Sequence, residues 1–162
     1  MSANEKEKKD REPQAPAQVV GGVDIGSNAI RLVVAEVLPD GSIEVLENLQ
    51  KGIRLGQDAF RRGRLSGPTI RAAVGILREF RRILDTYRPV HLRAVATSAV
   101  REAGNSDMFL DRVLMTTGLE LEILDTAEES RLTVAGVRRH LSPELRAKRG
   151  LLLVAHVGGG ST

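Results

Sequence analysis

Residues 19–37, VVGGVDIGSNAIRLVVAEV, decide how the rest of the chain is read. An apolar run rises to Asp24 and breaks at Gly26-Ser27-Asn28; a second β-rich run then leaves over residues 30–37. Two strands joined by a tight polar turn fit this pattern, because glycine tolerates turn dihedrals while Ser and Asn side chains bond nearby backbone. The turn gathers one carboxylate (Asp24), two neutral hydrogen-bonding side chains and, three residues on, the cation Arg31. Backbone N–H groups at such a turn form a concave donor surface suited to phosphate oxygens. Asp24 would repel a bare phosphate, and makes sense there if a divalent metal sits between the two. The same residues also describe an ordinary hairpin with a polar tip, and the stretch alone leaves both readings open.

Composition narrows the class. A chain of 162 residues with 41% apolar residues is long enough for one domain with a core, and 2% aromatics make that core aliphatic. There is no cysteine, which excludes a disulfide framework, a thiolate zinc site and a cysteine nucleophile. Net charge is +3, and five of the 24 cations are lysine, so the positive excess is arginine. Arginine forks suit phosphate, but these are scattered among 21 acids rather than gathered in one block. With one Tyr, three Phe and no Trp, platforms for base stacking are scarce. An anionic ligand fits better than a nucleic acid. No stretch is long and apolar enough to span a membrane. Residues 1–18, MSANEKEKKDREPQAPAQ, lack the apolar middle of a signal peptide and read as a disordered tail, which makes the cytoplasm the expected compartment.

Along the chain, Pro39-Asp40-Gly41-Ser42 is a turn and residues 43–48 alternate like a third strand, giving an antiparallel meander. A basic, glycine-containing stretch through Arg61, Arg62 and Arg64 reads as an exposed loop and a solvated face. A long helix follows, capped by Ser66 or Gly67 with Pro68 in its first turn; Ile70, Val74, Leu77, Ile83 and Leu84 recur at helical spacing. Residues 91–97 form a strand ending at Thr97-Ser98-Ala99-Val100-Arg101. Strand ends leading into helices are where open α/β sheets bind ligands, so Thr97, Ser98 and Arg101 are candidates for an anion. Ser98 as a helix N-cap with Arg101 exposed is the competing account. Ser106 opens a short amphipathic helix that stops at Gly118, residues 119–124 form a strand, and a helix runs from Asp125 to about His140. Ser142-Pro143 breaks it, and residues 144–150 are a charged connection. Residues 151–157 are almost wholly apolar and read as a central buried strand, ending in Gly158-Gly159-Gly160-Ser161-Thr162. These glycines let the backbone close on a ligand with N–H groups free to bind oxygens. The pattern is α/β with a mixed sheet flanked by helices. Neither GxxxxGK[ST] nor GxGxxG is present.

Four separated pieces converge: Asp24-Ile25-Gly26-Ser27-Asn28 with Arg31, Thr97-Ser98-Ala99-Val100-Arg101, Glu128-Glu129 with Arg131, and Gly158-Gly159-Gly160-Ser161-Thr162. In this order they resemble the exopolyphosphatase/guanosine pentaphosphate phosphohydrolase (Ppx/GppA) family of the actin-like ATPase and sugar kinase superfamily. The resemblance spans residues 19–162 and implies a ribonuclease-H-like first domain with a mixed five-stranded sheet, followed in relatives by a second domain. The chain then looks like the N-terminal part of a longer protein. It further implies that Gly26, Ser27 and Asn28 hold phosphate oxygens, that Arg31 and Arg101 add charge, and that Asp24 sits near a magnesium ion. Glu129 resembles the catalytic carboxylate, with Glu128 the second candidate, and Gly158, Gly159, Gly160, Ser161 and Thr162 would be a second phosphate clamp. The implied ligand is polyphosphate or guanosine pentaphosphate, and a homodimer is implied for the full-length protein. A capping box at Thr126-x-x-Glu129 would occupy the same glutamate without any catalytic role.

Two positions depart from the family pattern. His156 stands where an aspartate usually precedes the glycine loop, and neutral imidazole is a poor magnesium ligand. That substitution favours a non-catalytic module binding polyphosphate or guanosine pentaphosphate as the alternative function. Asp125-Thr126 replaces the usual Ser-Gly, so a Cβ at that bend would narrow the approach to the ligand.

Overall fold

The computed structural model describes residues 16–147 and 153–159. Most of the expected tail, residues 151 and 152 of the last apolar run, and Gly160, Ser161 and Thr162 lie outside the described residues.

The sheet is built from β1 (Gln18–Ile25), β2 (Ala29–Val37), β3 (Ile43–Gly52), β4 (His91–Ala96) and β5 (Leu121–Ile123). Its spatial order is β3-β2-β1-β4-β5. The first three strands pair antiparallel, and β4 and β5 continue the sheet parallel to β1. This is the expected meander followed by crossover units, and the sheet is mixed and five-stranded as the family resemblance implies.

Alternation sorts the two faces. Val23 and Ile25 of β1 and Ile30, Leu32 and Val34 of β2 are buried on one face. Asp24 and Arg31, register partners between them, fall on the other. Helix α2 (Gly67–Tyr87) covers the buried face with Ile70, Ala73, Val74, Leu77, Phe80 and Leu84, an i, i+3, i+4 stripe. Ser66 caps it by accepting from the Thr69 N–H (3.4 Å), as the sequence predicts. The helix lies so close to β1 that a Cβ on Gly21 would stand 2.9 Å from Leu84 Cδ2. Helix α4 (Ser106–Thr117) packs beside α2 through Phe109 and Val113, and Gly118 ends it in the left-handed region, φ 67°.

Three expectations fail. The segment read as an exposed basic loop contains helix α1 (Leu55–Arg62). Leu55 and Ala59, one turn apart, reach the core, and the buried carboxylate of Asp58 accepts from the Ser66 N–H (3.0 Å) and pairs with Arg62 (3.5 Å). The expected break at Pro143 and the first residues of the charged connection form a short helix, Pro143–Ala147, with proline supplying the first-turn geometry. The last apolar run is not a central strand: residues 153–157 carry no strand, and Leu153 is 92% and Val157 76% exposed. Hydrophobicity alone does not make a strand, since ladder bonds need a neighbour, and among the described residues the sheet's five strands pair only with one another. Among the described residues no helix is long and apolar enough to cross a membrane.

Candidate active site

The hairpin turn at residues 26–28 is fastened from behind. The Ile53 N–H donates to the Asn28 carbonyl and the Gly56 N–H to the Ser27 carbonyl, both at 2.9 Å. Gly56 has to be glycine-sized, because a Cβ there would sit 2.9 Å from Ser27 Cβ and 2.8 Å from the Phe60 ring. With their carbonyls engaged, Ser27 and Asn28 have N–H groups that meet no protein acceptor among the described residues. That is the donor surface expected of the turn. The Thr97 N–H ties the end of β4 to the Ile25 carbonyl (3.1 Å), which brings Ser98 beside the turn. Its hydroxyl lies 3.2 Å from that of Ser27, with both residues buried. Ser98 is therefore not the N-cap; Thr97 takes that position at the start of α3 (Ser98–Arg101), without a side-chain bond.

Asp24 and Arg31 face each other at 3.4 Å, and Arg31 also donates to Gln50 (2.9 Å), its partner across the sheet. Burial pushes the Asp24 carboxyl above its ordinary value, Arg31 draws it back, and the negative charge of Glu129 adds to the rise. Two carboxylates thus repel across the same space.

Glu129 arrives there on helix α5 (Thr126–His140). The cap of this helix is Asp125, which accepts from the Glu128 N–H (2.7 Å), not Thr126. The register therefore moves by one: Glu128 occupies the third helical position and Glu129 lies a further 100° round the helix. The capping-box account of Glu129 fails on this geometry. Glu128 turns away, held by Arg131 (2.6 Å) and Arg93 (3.4 Å), and these cations lower its carboxyl to about 2. Arg101 stands behind Glu129, donating to its carboxylate (3.2 Å) and to the Leu124 carbonyl (2.6 Å). Asp125 and Thr126 are exposed in ordinary N-terminal helix geometry and do not line the site, so the expected narrowing there does not arise.

Asp24, Gly26, Ser27, Asn28, Arg31, Thr97, Ser98, Glu129, Gly158 and Gly159 line one cavity of about 750 Å³. Glu128 and Arg101 do not line it, and Gly160, Ser161 and Thr162 lie outside the described residues. Gly159 packs on the turn so tightly that a Cβ would collide with the Asn28 amide and stand 3.2 Å from Ser27 Cβ. His156 is also on the wall. Gln50, Val95, Leu132 and Thr133 are among the further lining residues, none of them singled out in sequence. Gln50 was legible only through the register that sets it opposite Arg31.

Residues 33–162 match the Ppx/GppA phosphatase family. The chain belongs to that family. Exopolyphosphatase 1 of Mycobacterium leprae is 34% identical over 142 residues, covering 88% of this chain and 41% of its own length. The crystal structure of the Ppx/GppA family member from Aquifex aeolicus superposes with a TM-score of 0.73 at 31% identity, over 79% of this chain and 42% of that one. An exopolyphosphatase from Cytophaga hutchinsonii gives 0.72 at 30% identity, over 75% of this chain and 39% of that one. The fold is that of an actin-like ATPase domain, and the chain spans about two fifths of the length of these Ppx/GppA relatives.

Proposed function

We propose that the protein is a cytoplasmic exopolyphosphatase that removes the terminal phosphoryl group of polyphosphate, with this chain forming one wall of a cleft completed by a second domain. The observation that carries this reading is the placement of Glu129 across one cavity from the N–H groups of Ser27 and Asn28, which meet no acceptor among the described residues. Phosphoryl transfer needs placement and charge neutralisation more than covalent help. The Ser27 turn binds the oxygens of the terminal phosphoryl group, and Arg31 offsets their charge. Glu129, held by Arg101, orients a water and takes its proton as the water oxygen bonds to phosphorus. The bridging P–O bond breaks, leaving orthophosphate and a chain one unit shorter. Magnesium suits the donor set: Asp24 and Glu129 offer hard oxygens facing one space, and the repulsion between them is relieved by a cation. Asp24 would hold it, and the bound ion supplies charge withdrawal from the phosphoryl oxygens.

Guanosine pentaphosphate presents the same phosphoanhydride end and is the second substrate of this reading. His156 on the cavity wall favours a different one, a module that binds these anions without cleaving them. Phosphate release from tripolyphosphate and from guanosine pentaphosphate, with and without magnesium, separates the two. Release that requires magnesium and disappears in Glu129→Gln supports hydrolysis; tight binding with no release supports the binding module.

A further inference from the structure

Helix α2 carries a charge pattern that the cavity does not use. Arg71, Arg78 and Arg82 stand at i, i+7 and i+11 along one exposed flank, about 120° round the helix from the buried Leu77 stripe. At 1.5 Å per residue they form a line about 16 Å long. All three are exposed, and none has an acidic partner among the described residues. The two acids of the helix are engaged elsewhere, Glu79 by Lys51 and Asp85 by Arg81. Arg78 and Arg82 are one turn apart, where like charges destabilise a helix. An ordinary solvated face exchanges such pairs for opposite charges, as Arg81 and Asp85 do.

The line has a direction. Strand β3 ends at Gly52, paired with Ala29 at the cavity end, and β4 begins at His91, paired with Val20 at the far end. Helix α2 therefore descends from the cavity end of the sheet to the other, on the face away from Asp24 and Arg31, so a chain seated in the cavity reaches it over that end. Arg54, Arg61 and Arg64, also exposed and without an acidic partner among the described residues, lie in the segment leading from the Ser27 turn to its start.

We propose that this stripe binds the distal stretch of a long linear polyphosphate whose terminal unit occupies the cavity. The identity of the polyanion rests on the function proposed above; the stripe itself rests on charge complementarity. Comparing Arg71→Gln/Arg78→Gln/Arg82→Gln with the parent, using long-chain polyphosphate and tripolyphosphate over a salt series, tests it. The variant should lose long-chain affinity on the order of tenfold at low salt, with the slope of log affinity against log salt shallower by about 2. Tripolyphosphate binding, its turnover and the melting temperature should stay put. Unchanged long-chain affinity and slope would overturn the proposal, as would an equal loss for tripolyphosphate. Single-stranded DNA of matched charge competing as well as polyphosphate would also overturn it. A parent protein that cleaves neither chain defeats the proposed hydrolysis alone, because the salt slope still reports the stripe.

Discussion

The two walls of the cavity are made in different ways. The Ser27 turn sits on fully buried Ile25 and Ile30, its carbonyls are tied down by Ile53 and Gly56, and its serine is sealed against Ser98. Helix α5, which brings Glu129, buries no residue and is held by ion pairs from Arg101, Arg93 and its own Arg131. Packing fixes the turn proposed to receive phosphate; ion pairs fix the glutamate proposed to act on water. Ion pairs at exposed positions contribute little to stability and are screened by salt. The Arg93 and Arg131 pairs are of this kind, whereas the Arg101–Glu129 pair is partly buried; the Glu129 wall is thus the more adjustable one, while the Ser27 wall rests on the core beneath it.

The largest expected effect lies on the adjustable wall. Glu129→Gln should cut phosphate release by about 10²–10⁴-fold and lower the melting temperature only slightly, through loss of the Arg101 pair. A lower melting temperature with full turnover would make the residue structural and break the contrast. Next comes the core. Phe80→Ala, at a fully buried position, should cost about 3–5 kcal/mol in denaturant unfolding. Val134→Ala on α5, where Val134 is 40% exposed, should stay within about 0.5 kcal/mol of the parent. Equal losses at the two sites would show that α5 is packed as firmly as the sheet. Gly56→Ala pushes a methyl group against Ser27 and Phe60; it should cost about 1–3 kcal/mol and weaken tripolyphosphate binding by displacing the turn.

The smallest effect is a pH dependence. Arg131, and then Arg93, hold Glu128 at about 2 against an ordinary 4.5. Because the folded value is the lower one, the stabilisation is complete above 4.5 and is lost as pH falls from there toward 2. Glu128→Gln should melt slightly below the parent at neutral pH, and the gap should close over that acid range. A gap independent of pH would remove the ion pairs from the account.

The hairpin at residues 24–31 was legible because each residue's local preference agrees with its place in the fold, from the glycine turn to the alternating strands. Helix α2 was legible from its apolar period and the Ser66-Gly67-Pro68 start. Helix α1 was hidden, since only Leu55 and Ala59 reach the core and a glycine sits in its first turn to make room for Ser27. The apolar run misled in the opposite direction at residues 153–157, because composition cannot report whether a neighbouring strand is present. For the glutamate pair, a one-residue shift of the cap from Thr126 to Asp125 decides which carboxylate enters the cavity. No spacing rule distinguishes two good caps side by side.

The central claim is that the Ser27 turn, the Ser98 strand end and the Glu129 helix grip one chain of linked phosphates. An NMR titration of the protein with tripolyphosphate and magnesium addresses it directly. The backbone amides of Ser27, Asn28, Ser98 and Glu129 should shift together along a single saturation curve, with Phe80 and Phe109 in the core unmoved. Shifts that leave Ser27 and Asn28 still, or that saturate there at a different concentration from Glu129, would contradict it.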